Sequence, residues 1–123
     1  HLQVRDGSMA LALLMEVMAE TGKPLSELLG ELPQYYQLKV KVPCPERIKR
    51  AVLRDLRNKV DAPRVETIDG VKLIYNNRSW VLFRPSGTEP IFRIYAEAES
   101  SETVEAIVKE NKSLMESVID SLS

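Results

Sequence analysis

The spacing of apolar residues along this chain changes several times, and each change marks an element. Ala10, Leu11, Leu13, Leu14, Val17 and Met18 recur as in a helix, with Asp6 or Ser8 to cap its start and Gly22 to end it. Pro24 opens a short second helix carrying Leu25, Leu28 and Leu29, closed by Gly30. The first helix is apolar on more than one side, so it expects cover from several directions. Leu32-Pro33 marks a linker. Beyond it Leu38, Val40 and Val42 alternate with Lys39 and Lys41, the period of a half-buried strand. Pro43 and Pro45 stop that strand, and Pro45 suits the first turn of a helix over 46–59. In that helix Ile48, Val52 and Leu56 share one face, and Arg47, Arg50, Arg54 and Arg57 share another. Spacings of Glu46 to Arg50 and Asp55 to Lys59 would neutralise part of the basic face.

Strands follow in quick succession at 64–68, 71–75, 79–83 and 91–98. Asp69-Gly70 makes a hairpin between the first pair, and Asn76-Asn77-Arg78 turns the chain between the second. On the last strand Phe92, Ile94, Ala96 and Ala98 form the core face, opposite Arg93, Tyr95 and Glu97. Ser101 then caps a helix over 102–122. Its apolar stripe runs through Val104, Ile107, Val108, Leu114, Met115, Val118, Ile119 and Leu122. Each of the two longer helices after Pro33 has a single stripe, so both must cover the same sheet face. The expected fold is α+β: an antiparallel sheet of four to five strands, two helices on one face, and an N-terminal helical segment. The expected division is a helical segment over 1–33 and a sheet domain over 34–123.

The stretch Arg84-Pro85-Ser86-Gly87-Thr88-Glu89-Pro90 lies between two strands and suits an oxyanion. Arg84 offers a planar fork of donors, and Ser86 and Thr88 add hydroxyls. A positive φ at Gly87 would turn successive N–H groups into an anion-binding nest. Prolines at both ends reduce the entropy lost on ordering. Read from the residues alone, the same stretch equally makes an ordinary turn. It lacks the Gly-Lys-Ser/Thr ending of a Walker A loop. Arg93 on the following strand either assists an anion site or simply occupies an open sheet face.

Composition narrows the function. The 123 residues carry a formal net charge of −1 and a sequence pI near 5.9, which argues against nucleic acid or an anionic membrane as partner. An interaction module using the arginine face of 46–59 for nucleic acid or protein remains the alternative, against a solvated face. One cysteine, Cys44, excludes an internal disulfide and reads as a small residue at a strand end. The one histidine is His1, at an end expected to fray, so Cys/His metal clusters are excluded. No apolar stretch is long enough to span a bilayer and no signal-peptide pattern occurs, so a cytoplasmic location is expected.

The string Arg84 to Pro90, with Arg93 and Glu97 on the strand after it, resembles the phosphate-binding loop of the α-D-phosphohexomutases. These are the phosphomannomutases, phosphoglucomutases and phosphoglucosamine mutases. Arg5-Asp6-Gly7, the Leu-rich helix, Gly22-Lys23-Pro24-Leu25-Ser26-Glu27-Leu28-Leu29 and Leu32-Pro33-Gln34-Tyr35 resemble the end of that family's third domain. The resemblance implies that 34–123 is the fourth domain, with a fold like the TATA-box-binding protein. It also implies that the chain, opening on His1, is a fragment. Arg84, Ser86, Gly87 and Thr88 would contact the phosphate of a hexose 1- or 6-phosphate, with Glu89 and Arg93 in the same site. The catalytic serine and the aspartates holding magnesium would lie in the parent's other domains, leaving this chain with no catalytic residue, metal site or cofactor. Its partners would be a hexose phosphate and those domains, with a dimer through 1–30 as a further expectation.

Overall fold

A computed structural model describes residues 6–123; His1 and the first residue of the Arg5-Asp6-Gly7 string lie outside them. The chain divides into two units after Gln34. In the first, α1 (Gly7–Thr21) starts where the Asp6 carboxylate accepts the Met9 N–H at 3.0 Å. It ends at Gly22, whose φ of 66° lets its N–H reach the Met18 carbonyl. Helix α2 (Leu25–Gly30) follows Pro24. Within this unit Met9, Leu11, Leu13, Met15 and Val17 of α1 are all exposed.

The second unit carries β1 (Tyr36–Pro43), a 3-10 turn at Glu46–Ile48, α3 (Lys49–Lys59), β2 (Arg64–Glu66), β3 (Val71–Ile74), β4 (Trp80–Pro85), β5 (Ile91–Ala98) and α4 (Ser101–Leu122). The five strands form one sheet in the order β1-β5-β4-β3-β2, every neighbour antiparallel. Helix α4 packs over β1 and β5, and α3 lies beside α4 over β3, so both cover one face. Val42, Val52, Leu56, Leu73, Val81, Phe83, Phe92, Ile94 and Met115 are fully enclosed between sheet and helices. At about 1.5–3 kcal/mol for each large apolar side chain, this burial is the main force holding the layers together. Ile107, Leu114 and Leu122 close the edge of the same core.

Several boundaries differ from the sequence expectation: the helix expected over 46–59 opens as a 3-10 turn and is α-helical only from Lys49, β3 ends at Ile74, β4 starts at Trp80, and three further differences have a visible cause. Strand β4 runs on to Pro85, paired with Phe92. Ser86 N–H donates to the Ile91 carbonyl, so the preceding proline nitrogen faces the other side, where β3 does not reach: its first residue, Val71, lies opposite Phe83. A proline there removes no ladder bond. The cap of α4 is Ser100, one residue earlier than expected, its Oγ accepting the Thr103 N–H at 3.1 Å. Strand β2 stops at Glu66, so the hairpin to β3 is a wider turn and not a two-residue Asp69-Gly70 loop.

That turn is held by a close approach. Gly70 has φ +117°, and a Cβ on it would lie 2.1 Å from the Phe83 carbonyl oxygen. Gly70→Ala should therefore destabilise the sheet domain by about 3 kcal/mol, from strain and clash together. Urea denaturation measures this, and a loss below ~0.5 kcal/mol would mean that the turn can move away from β4 freely.

Candidate anion site at the β4–β5 loop

Strand β5 lies between β1 and β4, and its register fixes the site. Lys41 on β1 stands opposite Arg93 on β5, and Arg93 stands opposite Arg84 on β4. All three alternate with core residues, so they share the sheet face that carries no helix. Like charges directly opposite one another repel, and such a row persists only with counter-charges nearby. Two carboxylates supply them. Asp69, on the turn held by Gly70, accepts from Arg84 Nε at 2.9 Å. Glu89 accepts from Arg93 at 2.6 Å through one oxygen and from Lys41 at 3.3 Å through the other. The Arg93 bond is the largest cause holding the Glu89 carboxyl below its ordinary value, and the Lys41 ammonium acts in the same direction. Arg93 is in turn held above its ordinary value, chiefly by Glu89.

The loop itself is organised from within. Ser86 is buried, and its Oγ accepts the Glu89 N–H at 3.2 Å and, more weakly, the Thr88 N–H at 3.5 Å. The Pro90 carbonyl accepts the Cys44 N–H, tying the loop to the end of β1. Lys49, at the start of α3, is buried beneath the loop. Its ammonium donates to the Ser86 carbonyl at 2.6 Å and the Glu89 carbonyl at 2.7 Å, and pairs with Glu46 at 2.5 Å. Gly87 and Thr88 are exposed at the crest. Gly87 does not take the expected positive φ, which occurs among the described glycines only at Gly22 and Gly70. The loop is curved by the Ser86 hydroxyl and the Lys49 ammonium and needs no left-handed residue. A Cβ at Gly87 would meet nothing within 4 Å.

The six candidates of the loop region thus form two groups. Arg84, Glu89 and Arg93 gather on the open face with Lys41 and Asp69, while Ser86, Gly87 and Thr88 form the backbone turn beside them. The alternation around Val40 exposed Lys41 as an outward residue, but only the β1–β5 register aligns it with Arg93. Lys49 was hidden: a lysine in an arginine-rich helix reads as a surface residue. Glu46 pairs with Lys49 and not with Arg50, and Asp55 with Arg54 and not with Lys59. Arg47, Arg50, Arg54 and Arg57 are exposed, as either a solvated or an interaction face would be.

This arrangement gathers cations, hydroxyls and backbone donors of the kind that can hold an anion. Burial pushes the Cys44 thiol up, so it stays protonated. Among the described residues no group of three or more His, Cys, Asp or Glu is placed to hold a metal ion, and no helix is long and apolar enough to cross a membrane. A cleft of about 610 Å³ lies at the far end of β4, lined by Tyr75, Asn77, Ser79 and Thr103, and contains none of the candidate residues.

Residues 40–114 match the family model described as phosphoglucomutase/phosphomannomutase, C-terminal domain, and residues 1–36 match the one described as its alpha/beta/alpha domain III. A Pyrococcus horikoshii protein named "Probable phosphoglucosamine mutase" is 40% identical over 122 residues, covering 96% of this chain and 27% of the relative. A Thermococcus kodakarensis protein named "Phosphoglucomutase/phosphomannomutase" is 38% identical over 117 residues, covering 94% of this chain and 25% of its own length. A crystal structure of a phosphoglucomutase/phosphomannomutase family protein from Burkholderia thailandensis aligns with TM-score 0.78 and 25% identity, over 96% of this chain and 25% of that one.

The ion pairs of Glu89 give a direct check. Its carboxyl should titrate below the ordinary glutamate range, and Arg93→Met should raise that midpoint more than Lys41→Met does. Because the folded value is depressed, these pairs contribute stability above the unfolded glutamate pKa and lose it as pH falls through the folded one. Carboxyl 13C NMR against pH reads each midpoint; a wild-type value in the ordinary range would show that the carboxylate is solvated.

Proposed function

The chain belongs to the phosphoglucomutase/phosphomannomutase family, spanning part of its third domain and its C-terminal domain, and from this premise we propose that the β4–β5 loop grips the phosphate group of a hexose phosphate. The observation that carries the reading is the row Lys41, Arg93 and Arg84 aligned beside the exposed turn at Gly87 and Thr88. Three cations facing two carboxylates leave a surplus of one positive charge, which favours an incoming phosphate. Arg84 binds in a forked geometry, the Gly87 and Thr88 segment supplies backbone and hydroxyl donors, and Ser86 shapes the turn that presents them. Arg93 is released in part from Glu89 as the anion enters.

In the parent enzyme this loop holds the phosphate that is not reacting, while a phosphoserine and a magnesium ion in other domains carry out the transfer between hexose 1-phosphate and hexose 6-phosphate. The clamp positions the reacting end by binding the remote one. The chain spans only 27%, 26% and 22% of the length of three phosphoglucosamine mutase-like relatives, so the chemistry of the whole lies largely outside it. The named relatives include glucosamine and glucose/mannose enzymes, and the loop contacts a group common to all those substrates.

Titration of the chain with glucose 1-phosphate or inorganic phosphate should shift the amides of Gly87 and Thr88 with millimolar-class affinity, roughly −4 kcal/mol. Arg84→Ala should cost on the order of 2 kcal/mol of that binding. Shifts at Arg47, Arg50, Arg54 and Arg57 instead of the loop would assign the anion to the face of α3. The chain alone should turn over no hexose phosphate when supplied with magnesium and a bisphosphate activator; turnover that copurifies with it would place the reactive groups in these residues.

A further inference from the structure

We infer that Lys49 is the positioning residue of this site: its buried ammonium turns the Ser86–Gly87 peptide so that the Gly87 N–H faces outward as an anion donor. The ammonium has three protons, and three acceptors surround it: the Ser86 carbonyl at 2.6 Å, the Glu89 carbonyl at 2.7 Å and the Glu46 carboxylate at 2.5 Å. The side chain is only 6% exposed, so its charge is compensated by these groups and by little water. The two carbonyls bracket the turn and are drawn to one point beneath it.

Peptide geometry does the rest. The described chain has no cis peptide bond. In a trans peptide the C=O and N–H of one plane point in opposite directions. With the Ser86 carbonyl aimed down at Lys49, the Gly87 N–H of the same plane is aimed up. The Thr88 and Glu89 N–H groups are both taken by Ser86 Oγ, and the Gly87 N–H takes part in none of these bonds. Gly87 itself is exposed, and a Cβ on it would meet nothing within 4 Å, so the turn is open to solvent at this residue. The carbonyl of Glu89 precedes Pro90, which has no N–H, so the second tether to Lys49 exposes no competing donor. The result is an N–H dipole held by the fold with its positive end away from Lys49. The ligand half of this inference rests on the phosphate reading above; the orientation of the loop does not.

The test compares wild type with Lys49→Met, which keeps the aliphatic stem and removes all three donors, by 15N relaxation and inorganic phosphate titration. In wild type the Gly87 and Thr88 amides should have order parameters of ~0.85, and in Lys49→Met they should fall to ~0.6. The phosphate shift at Gly87 should weaken by about fivefold or more, a change of ~1 kcal/mol. Val104→Ala, a core change in α4, provides a variant destabilised elsewhere and should leave both loop readouts unchanged. Lys49→Arg, which keeps charge and donors, should recover part of them. Should Lys49→Met fail to fold, Lys49→Gln carries the same comparison with a neutral donor. Unchanged loop order and an unchanged Gly87 response in either neutral variant overturn the inference. A rigid wild-type loop that loosens on substitution, with no phosphate response in any variant, supports the positioning role and removes the phosphate reading instead.

Discussion

The pairing of β5 with both of its neighbours is the constraint on which this domain depends. One side of β5 meets β1, from the beginning of the domain, and the other meets β4, joined to it by the short loop. Because side chains alternate in strict period two, that double register decides at once which residues enter the core and which face outward. Phe92, Ile94, Ala96 and Ala98 go under the helices, and the intervening positions form an open face. A slip of one residue would bury Arg93 and expose Phe92. The hydrophobic core therefore holds the cation row in place without touching it.

On the open face electrostatics takes over. Lys41, Arg93 and Arg84 cost energy side by side, and the protein offsets this with Asp69 on one flank and Glu89 on the other. Both carboxylates reach in from turns, Asp69 from the β2–β3 turn pressed against Phe83 and Glu89 from the β4–β5 loop. The face continues away from the loop with Lys39 over the Tyr95 ring and Lys72 over the Trp80 ring, while Glu97 accepts from Trp80 Nε1. These two cations are stabilised by aromatic faces, whereas Lys41, Arg93 and Arg84 at the loop end are held by carboxylates. The resting site is thus nearly balanced by its own acids.

Much of the fold was legible because burial leaves a periodic trace. The stripes at Val52 and Leu56 and at Val104, Val108, Met115 and Val118 named the core faces of α3 and α4. The alternation on β5 named its inner side. Boundaries were less legible: Ser100 and Ser101 are equally good caps by type, and whether Pro85 ends a strand depends on where β3 starts on the far side. The loop was recognisable from its string, but its geometry was not. Gly87 suggested a left-handed nest, whereas Ser86 Oγ and Lys49 bend the chain by hydrogen bonding. Lys49 meets the loop across 37 positions of sequence, and no local pattern distinguishes a lysine that will be buried from its solvated neighbours.

The β1–β5 ladder, from Tyr36 opposite Ala98 to Pro43 opposite Ile91, has a consequence for how the molecule comes into being. Its strands enclose α3 and the whole β2–β3–β4 meander, so the chain must close a long loop before this pairing returns any energy. During synthesis Lys41 emerges early and waits, unpaired, until β5 has left the ribosome. The late hairpin β4–β5 can bring Arg84 and Arg93 together locally, but the third cation arrives only with the final closure of the sheet. The charged row is therefore complete only when the sheet is, which makes its assembly a marker of sheet closure, with α4 still to be laid over β1 and β5.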